Sequence, residues 1–309
     1  MAEKTAVEPV QFGKVAVLCG GCSAEREISL NSGRDVAAAL CRSAVDAHVV
    51  DSAQPVIAQL QRAGFDRAFI MLHGRGGEDG VIQGALQTLG LPYTGSAVLG
   101  SALSMDKPRC KALWMGMGVP TPRWLSLHEA SDSEAVVRDL GLPIIVKPAQ
   151  EGSSLGMSKV TAANQLASAW RAARHYDEGV IAEQWIEGKE YTAAVLVGRV
   201  LPLIRIETAR DFYDYDAKYV AEDTRFYCPS GLSDEQEQRL QAVALRAFET
   251  TGAKGWGRVD FICDAHGAPW FIEVNTVPGM TDHSLVPMAA KAAGIGFDEL
   301  VMRILATTL

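Results

Sequence analysis

Four polar residues near the C-terminal end of the chain have the types and spacing of a site for a metal ion and a phosphate group. Arg258 and Asp260 lie in "GRVDF", and Glu273 and Asn275 end the apolar segment "PWFIEVN". Side chains alternate between the faces of a strand, so the members of each pair share a face. A carboxylate at the end of a buried strand needs a cation or several donors beside it. Because Mg2+ prefers carboxylate and amide oxygens, these residues predict a magnesium site next to a guanidinium, which suits phosphoryl transfer.

A nucleotide site would have to form without a Walker loop, because the pattern GxxxxGK[ST] is absent from the sequence. Lys147 closes the apolar run "LPIIV", and Lys107 follows "SALSMD". A lysine at the end of a buried strand is costly unless an anion meets it, although each lysine alone is more often a surface residue. The loop "EGSSLG" could place backbone N–H groups and the hydroxyls of Ser153 and Ser154 over phosphates.

The elements that would position these residues fall into two patterns, and the first third of the chain has the pattern of parallel βαβ units. The apolar segments "KVAVLCG", "AHVVD" and "RAFIMLHG" alternate with helical stretches from about Glu27 to Arg42, in "VIAQLQRAG", and from Val81 to Leu89. This predicts a doubly wound parallel sheet, whose ligands bind at the carboxyl ends of the strands. Both "GGCSAE" and "HGRGGEDG" lie at such ends.

The second pattern begins after "SMDKPRCKALWMGMGVPTPRW", where a helix closed by Gly116 and Gly118 leads into a proline-broken domain boundary. The segment "PIIVKPAQEGSSLGMSKV" predicts a hairpin. The segment "GVIAEQWIEGKEYTAAVLVGRVLPLIRIE" predicts antiparallel strands that turn at Glu187-Gly188 and at Gly198. The polar and aromatic stretch around 211–230 predicts a long loop over a site, with a solvated insertion as the alternative.

A helix and a final pair of strands complete the C-terminal third. Ser233 and Gln236 form a capping box. The apolar residues that follow keep helical spacing: Leu240, Ala244, Ala247 and Phe248. The segments "WGRVDFICD" and "PWFIEVN" then flank the turn "AHGA".

Composition and charge exclude several classes of protein. A chain of 309 residues with 48% hydrophobic content can bury a large core and favours more than one domain. A net charge of -8 and a pI near 5.3 argue against a nucleic-acid binder. No apolar run approaches the roughly 20 residues of a membrane span, and the N-terminus lacks the apolar region of a signal peptide. We therefore expect no membrane insertion and a cytoplasmic protein.

The cysteines do not predict a redox or metal centre. Only Cys19 and Cys22, in "CGGC", are close together among the 6 cysteines. Their spacing matches a thioredoxin-type pair, but a structural zinc site would need a second pair of ligands. We interpret them as small packing residues beside a glycine turn.

Long motifs spread over the whole chain resemble the D-alanine:D-alanine ligase family. They are "GGCSAEREISLNSG", "HGRGGEDG", "SALSMDK", "IIVKPAQEGSSLGMSKV", "YDYDAKY", "GWGRVD" and "EVNTVPGMTDHSLVP". The resemblance implies an α/β plus α+β architecture, with a doubly wound parallel-sheet domain followed by a two-subdomain ATP-grasp fold. The expected divisions are 1–105 for the N-terminal α/β domain on the first-substrate side, 106–195 for the central subdomain, and 196–309 for the C-terminal subdomain with the metal and second-substrate sites.

The resemblance also implies an activity. Members of this family join two D-alanines for the peptidoglycan precursor: the first carboxylate takes the γ-phosphoryl group of ATP, and the second amine attacks the acyl phosphate. The implied cofactors are ATP and two Mg2+ ions, with Mn2+ as a substitute, and the implied partners are ATP, D-alanine and a second copy of the chain in a homodimer.

By motif position, the resemblance assigns roles to residues in each region. The implied catalytic residues are Glu25, Ser153, Tyr219, Arg258 and the backbone N–H of Gly279. The implied substrate residues are Glu25, His73, Ser284 and Leu285. The implied ATP residues are Lys107, Lys147, Ser154, Glu183, Trp185, Ile186, Glu190, Phe212 and Lys218. The implied metal ligands are Asp260, Glu273 and Asn275.

Three positions depart from the usual motifs of the family. Cys22 stands where Thr or Ser is usual, which places an oxidisable thiol beside the substrate, Gln150 stands where Arg is common, and Gln184 replaces a frequent Lys. None removes an implied ligand or catalytic group. In this family a Tyr at position 219 accompanies dipeptide synthesis, so the resemblance implies D-alanyl-D-alanine as the product.

Two other functions fit parts of the sequence. "VAVLCGG" begins like the dinucleotide turn of an NAD-dependent dehydrogenase, and Asp51 closes a later strand as a ribose-binding acid would. The spacing G-x-G-x-x-G is absent, however, and this alternative leaves Asp260, Glu273 and Asn275 unexplained. A non-catalytic ATP or amino-acid sensor on the same fold is the second alternative.

Overall fold

The N-terminal part of the chain folds around a parallel sheet. In the computed structural model, which describes residues 8–208 and 224–309, the strand order of this sheet is β2-β1-β3 and both pairings are parallel. Its elements are β1 (Lys14–Cys19), α1 (Arg26–Arg42), β2 (Asp46–Asp51), α2 (Val56–Ala63), β3 (Arg67–Ile70) and α3 (Val81–Leu89). Strand β1 is buried almost throughout, as expected for a central parallel strand covered on both faces. The predicted α/β architecture is confirmed.

The core beneath this sheet is completed by the last two helices of the chain. These are α9 (Leu285–Ala292) and α10 (Phe297–Leu305); the helices are numbered here through the described residues. Val301 and Ile304 are fully buried in one cluster with Val17, Leu40 and Leu86. The two ends of the sequence therefore share one hydrophobic core.

Two helices lead out of the N-terminal sheet. They are α4 (Val98–Met105) and α5 (Lys107–Gly116). Asp106 separates them, because its carboxylate accepts a hydrogen bond from the backbone N–H of Arg109 and so caps α5. Trp114 of α5 is fully buried in the core of the C-terminal sheet, where its indole N–H donates to the carbonyl of Ala247 at 2.9 Å.

The middle of the chain forms a four-stranded antiparallel sheet with the order β4-β7-β5-β6. Its elements are β4 (Trp124–Leu127), α6 (Ser133–Leu140), β5 (Ile144–Pro148), β6 (Ser158–Val160), α7 (Leu166–Arg174) and β7 (Val180–Gln184). The predicted hairpin is β5–β6, and the glycine- and serine-containing loop 149–157 connects its strands.

The third sheet has six described strands in the order β11-β10-β8-β12-β13, with β9 paired to β8. Its elements are β8 (Gly188–Leu196), β9 (Arg199–Val200), β10 (Ile204–Glu207), β11 (Arg225–Tyr227), α8 (Asp234–Thr250), β12 (Trp256–Asp264) and β13 (Pro269–Asn275). The capping box of Ser233 and Gln236 begins α8 as predicted, and the four apolar residues named for it are all buried.

Three expectations from the sequence differ from the structure. The segment at Glu187-Gly188 is not a turn within one sheet, because β7 and β8 belong to different sheets; the turn at Gly198 is confirmed by the β8–β9 pair. The predicted long loop contains a strand, β11, at Arg225–Tyr227, which pairs with β10. Residues 209–223 of that loop lie outside the described residues. The separate helices α4, α6, α7, α9 and α10 were not predicted from the sequence.

A helix that spans a membrane combines great length with apolar character, and no helix in the described ranges has that combination.

The domain boundaries expected at residues 105 and 195 stay predictions.

Candidate active site

The hairpin of β12 and β13 brings together the four residues at the C-terminal end that were predicted to bind metal and phosphate. The strands are antiparallel, and their register pairs Asp260 with Glu273 and Arg258 with Asn275. The Arg258 guanidinium holds Asp260 through two hydrogen bonds of 2.9 and 2.8 Å. Asn275 Nδ2 donates to the same carboxylate at 3.1 Å. The hairpin therefore presents two carboxylates, an amide and a guanidinium on one patch.

The chemistry of this patch fits a hard cation. Asp260 and Glu273 supply carboxylate oxygens and Asn275 an amide oxygen, which is the donor set that Mg2+ prefers when phosphates and waters complete its coordination. Within the described residues, no group of three or more histidine, cysteine, aspartate or glutamate side chains forms a complete metal site by itself. A metal ion at this patch would therefore need ligands from a bound molecule, as nucleotide phosphates provide.

A cavity of about 310 Å³ lies between the two antiparallel sheets, next to this patch. Every predicted ATP residue within the described ranges lines it. These residues are Lys107, Lys147, Ser154, Glu183, Trp185, Ile186 and Glu190. Its apolar walls, Ile145, Met157, Ile262 and Ile272 among them, could enclose a flat aromatic base, while Lys107 and Glu273, whose charged atoms are 3.4 Å apart, form a polar end. The shape and the lining suit a nucleotide.

Buried charges form the inner wall of this cavity. Glu183 is 3% exposed, and its Oε1 lies 2.9 Å from Lys147 Nζ and 3.2 Å from Lys111 Nζ. These are ion pairs rather than well-aligned hydrogen bonds. Burial alone would raise the pKa of Glu183, but the two ammonium groups hold the pKa below its ordinary value. Lys111 was not among the predicted site residues, because its position in the middle of a helix gives no sign of this contact.

Lys107 links the phosphate end of the cavity to the loop 149–157. Its side chain is 8% exposed, and Nζ donates to the carbonyl of Glu151 at 2.7 Å and lies 3.4 Å from Glu273 Oε2. The ammonium group therefore stands between the hairpin that carries Glu273 and the loop that carries Ser153 and Ser154.

A second cavity, of about 430 Å³, lies on the other side of Glu273. The predicted catalytic and substrate residues that the structure describes all line it. They are Glu25, His73, Ser153, Arg258, Gly279, Ser284 and Leu285. Glu273 lines both cavities, Asp260 lines the first, and Asn275 lines the second. A molecule in one cavity can thus meet a molecule in the other at Glu273.

Glu25 is fixed at the junction of the N-terminal sheet and the loop 149–157. The Ser153 hydroxyl donates a hydrogen bond to Glu25 Oε1. A Cβ at Gly152 would lie 3.0 Å from Glu25 Oε2, and one at Gly74 would lie 2.9 Å from the same atom. Glycine at both positions allows two backbone segments to approach the carboxylate closely.

Two buried titratable residues face this second cavity from the N-terminal part. His73 donates from Nδ1 to the carbonyl of Val277 at 2.7 Å, and Nε2 has no hydrogen-bond partner among the described residues. Glu78 accepts from the backbone N–H groups of Gly74 at 2.8 Å and of Val277 at 3.0 Å. Burial lowers the pKa of His73, so the ring is neutral and Nε2 can accept a hydrogen bond.

Glu78 is a site residue that the sequence reasoning missed. Burial, with a smaller contribution from the charge of Glu25, raises the pKa of Glu78 to about 8. Its position in "HGRGGEDG", at the carboxyl end of a parallel strand, was a signal that could have found it.

A chain of polar contacts ties the loop 149–157 to the N-terminal part. Arg75 donates to Glu151 Oε1 at 2.5 Å and to Asp177 Oδ1 at 2.7 Å. Asp177 also accepts the backbone N–H of Gln150 at 2.7 Å, and the Gln150 side chain donates to Asp106 at 2.9 Å. Gln150, one of the departures from the family motifs, therefore has a structural role beside the nucleotide cavity.

The far end of the second cavity contains the start of α9. Ser284 precedes the first helical residue, Leu285, and its hydroxyl oxygen accepts from the backbone N–H of Thr281 at 3.0 Å. A Cβ at Gly279 would lie 3.0 Å from Ser284 Oγ, so this loop folds closely over the helix start. Helix N-termini favour anions, which suits a carboxylate here.

Three predicted site residues lie outside the described residues, namely Phe212, Lys218 and Tyr219. Cys22 is exposed and lines neither cavity, so the expectation of a thiol beside the substrate was wrong, and of the "CGGC" pair only the buried Cys19 fits the packing interpretation. Asp51 is held by Arg26 at 2.8 and 2.6 Å, and this pairing keeps the pKa of Asp51 well below its usual range. An acid engaged in this way does not match the ribose-binding role expected for a dehydrogenase.

Comparisons with known proteins show the family of this chain. The model of the family described as "D-ala D-ala ligase C-terminus" matches residues 113–306, and the model described as "D-ala D-ala ligase N-terminus" matches residues 51–96. A protein of Nitrosococcus oceani named "D-alanine--D-alanine ligase" is 60% identical over 98% of this chain and 96% of its own length. A protein of Methylococcus capsulatus with the same name is 58% identical over 99% of both chains.

A solved structure has the same fold. The crystal structure of D-alanine--D-alanine ligase from Bacillus anthracis complexed with ATP superposes with a TM-score of 0.84 at 31% identity, over 96% of this chain and 97% of the other. The family models and the full-length identity to named relatives together settle the family. The chain belongs to the D-alanine:D-alanine ligase family and has its ATP-grasp fold.

Proposed function

We propose that this protein joins two D-alanine molecules to form D-alanyl-D-alanine at the expense of ATP, through an acyl-phosphate intermediate. The observation that carries this proposal is the shared wall at Glu273, which lines both the nucleotide-sized cavity and the cavity around Glu25. A γ-phosphoryl group at the polar end of the first cavity would meet a carboxylate held in the second.

The reaction has two steps. A carboxylate oxygen of the first D-alanine attacks the γ-phosphorus of ATP, and the bond to the bridging oxygen breaks so that ADP leaves. The amine of the second D-alanine, after losing a proton, attacks the acyl carbon, and the tetrahedral intermediate expels orthophosphate. One ATP is converted to ADP and phosphate for each peptide bond formed.

Glu25 and Arg258 orient the first substrate and stabilise the charge that develops on it. Glu25, fixed by Ser153, binds the ammonium group of the first D-alanine. Arg258, fixed by Asp260, and the backbone N–H of Gly279 stabilise the oxyanion of the tetrahedral intermediate. We assign Tyr219, which lies outside the described residues, to the same hydrogen-bonded group as Ser153.

The nucleotide binds in the cavity between the sheets. Lys107 and Lys147, together with Lys218, bind the phosphates, and Ser154 contributes from the loop 149–157. The base and ribose contacts are assigned to Glu183, Trp185, Ile186, Glu190 and Phe212. Asp260, Glu273 and Asn275 would hold two Mg2+ ions, or Mn2+ in their place, which would neutralise the phosphate charge during transfer.

The second D-alanine binds at the far end of the second cavity. Its carboxylate meets Ser284 and the N-terminus of α9 at Leu285. His73 is assigned instead to the subsite of the first D-alanine, where its acceptor nitrogen, Nε2, can receive a hydrogen bond from the ammonium group. Tyr219 supports a dipeptide product rather than an ester.

The wider setting follows from the family. We infer that the dipeptide serves the peptidoglycan precursor, that the protein acts in the cytoplasm, and that it forms a homodimer. The division into an N-terminal domain at 1–105 and two ATP-grasp subdomains at 106–195 and 196–309 is part of the same proposal.

Incubation of the purified protein with ATP, Mg2+ and D-alanine tests the function. We expect release of orthophosphate together with D-alanyl-D-alanine, measured by phosphate assay and mass spectrometry. We expect Arg258→Ala to retain ADP binding and to lose turnover, because the guanidinium lines the second cavity and not the nucleotide cavity. Phosphate release with D-lactate but not with D-alanine at neutral pH would overturn the proposed product, and ATP binding without any turnover would favour a sensor.

A further inference from the structure

Lys111 is a fully buried lysine, and none of the roles described above explains it. It lies in the middle of α5, its side chain is 0% exposed, and it does not line the nucleotide cavity. Nζ donates to Thr121 Oγ1 at 2.8 Å and lies 3.2 Å from Glu183 Oε1. A buried ammonium is costly, and an apolar side chain of similar length would fill the same space without that cost. The charge of Lys111 therefore requires an explanation other than packing.

The neighbours of Lys111 supply that explanation, because Glu183 is shared. The same oxygen of Glu183 lies 2.9 Å from Lys147 Nζ, at the cavity wall. Two ammonium groups and one carboxylate leave this buried cluster with one net positive charge. Without Lys111, the carboxylate of Glu183 and the ammonium of Lys147 would neutralise each other, and the cavity wall would offer little attraction to a phosphate.

The charge state of Lys111 is compatible with this role. Burial lowers the pKa of Lys111 to about 8, while the charge of Glu183 acts in the opposite direction. The group is therefore mainly protonated at neutral pH, so the cluster keeps its positive charge under ordinary conditions.

We propose that Lys111 is a positioning residue of the nucleotide site, which neutralises Glu183 from behind so that the charge of Lys147 is available to a nucleotide phosphate. This inference rests on the proposed nucleotide-binding function. It assigns the affinity for phosphate to a cluster of three residues, one of which never touches the nucleotide.

A purely structural role is the alternative, because Lys111 also joins two elements. Its bond to Thr121 continues through the Thr121 hydroxyl to the carbonyl of Phe271 in β13, at 2.8 Å. If that link were the reason for Lys111, its loss would disturb the whole cavity, and binding of the base would suffer as much as binding of the phosphates.

The experiment compares ADP with adenosine, which lacks phosphates. Binding of each to the full chain is measured by isothermal titration calorimetry in the wild type and in Lys111→Met. We expect the variant to lose about tenfold or more in affinity for ADP and less than about twofold for adenosine. Lys254→Met removes an equal charge from an exposed lysine that lines neither cavity, and it is expected to leave both affinities unchanged.

Two further variants separate charge from packing. Lys111→Arg keeps the charge and should retain most of the ADP affinity, whereas Lys111→Gln keeps a donor without the charge and should behave like Lys111→Met. If Lys111→Met does not fold, comparing the ADP affinity of Lys111→Gln with that of Lys111→Arg still separates the neutral side chain from the charged one. Equal losses for ADP and adenosine, or an unchanged ADP affinity in the neutral variants, would overturn the role of Lys111 alone. A wild type that fails to bind ADP would overturn the proposed function itself.

Discussion

At the scale of single residues, the second cavity contains an acid that holds its proton unusually strongly. Glu78 is 8% exposed, and its carboxylate accepts hydrogen bonds from two backbone N–H groups, which favour its charged form. Burial outweighs them and raises the pKa from 4.5 to about 8. The folded protein therefore keeps a neutral carboxyl beside Glu25 over much of the physiological range.

The raised pKa of Glu78 gives a signed prediction for stability. Between about pH 4.5 and pH 8 the folded state holds a proton that the unfolded state releases, so this contribution to the free energy of unfolding decreases as pH rises. This stabilising contribution is fully present below the pKa of Glu78 in the unfolded state, and it is lost as pH rises through the pKa in the folded state. We expect Glu78→Gln, which cannot ionise, to remove this part of the pH dependence.

Thermal midpoints of both proteins, measured across this pH range, test the prediction for Glu78. As pH rises, the thermal midpoint of Glu78→Gln should increase relative to that of the wild type. Glu249→Gln, at an exposed position of α8, is the control and should track the wild type. Parallel curves for Glu78→Gln and wild type would show that Glu78 has an ordinary pKa.

A second residue-scale prediction concerns Glu273. Because this carboxylate lines both cavities and faces Asp260 across the hairpin, Glu273→Gln should abolish the increase in ADP affinity that Mg2+ produces, while metal-free ADP binding changes little. Titrations of ADP with and without MgCl2 measure this increase. Retention of the full magnesium effect in Glu273→Gln would exclude this residue as a ligand.

The predictability of these residues depended on how local their geometry is. Asp260, Glu273, Asn275 and Arg258 could be placed together from the sequence, because a short turn and strand alternation fix their relation. Lys111 could not, because its charge is explained by Glu183, a partner that only the tertiary fold brings close. Glu78 lies in a motif that marked it, but only the tertiary fold shows that its carboxyl is buried against the backbone of Val277.

At the scale of elements, the loop 149–157 is held in place by a residue from another part of the fold. Arg75 reaches from the segment after β3 to Glu151 in the loop and to Asp177, whose side chain is 4% exposed. The loop carries Ser153 and Ser154, both with positive φ, a conformation that non-glycine residues adopt only when their surroundings enforce it.

Removing Arg75 should loosen this loop. We expect Arg75→Ala to increase hydrogen exchange in the peptide that spans 149–157 and to raise the KM for D-alanine, since Ser153 would position Glu25 less well. Exchange measured by mass spectrometry and steady-state kinetics test this together. Arg34→Ala, an exposed position on α1, is the control. Unchanged exchange in the loop would show that the contacts of Arg75 are not what orders it.

Element types were easier to predict than element partners. The β5–β6 hairpin, the capped helix α8 and the β12–β13 hairpin follow from turn residues and periodicity alone. The assignment of β7 and β8 to one sheet was wrong because alternation within a strand does not identify the strand beside it. The membership of α5 in the core of the C-terminal sheet was equally invisible from its sequence.

At the scale of the whole molecule, the N-terminal core depends on the C-terminal end of the chain. Ile304 of α10 is fully buried in the cluster beneath the parallel sheet. We expect Ile304→Ala to lower the free energy of unfolding by about 2–4 kcal/mol, because it leaves a cavity in a shared core. Denaturant unfolding followed by circular dichroism measures this change.

The adjacent residue provides the control for Ile304. Arg303→Ala removes only a surface ion pair with Glu299, and such pairs contribute at most about 1 kcal/mol. If the two variants were equally stable, α10 would not belong to the core in solution.

The shared core also bears on how the chain is made. A ribosome releases this polypeptide from its first residue onward, and β1 to β3 emerge long before Val301 and Ile304. The nascent N-terminal core therefore lacks the apolar side chains of α9 and α10 until those helices have been synthesised, unlike a module that closes as soon as it leaves the exit tunnel. Synthesis of residues 285–305, rather than of the first hundred, sets the moment at which this core becomes complete.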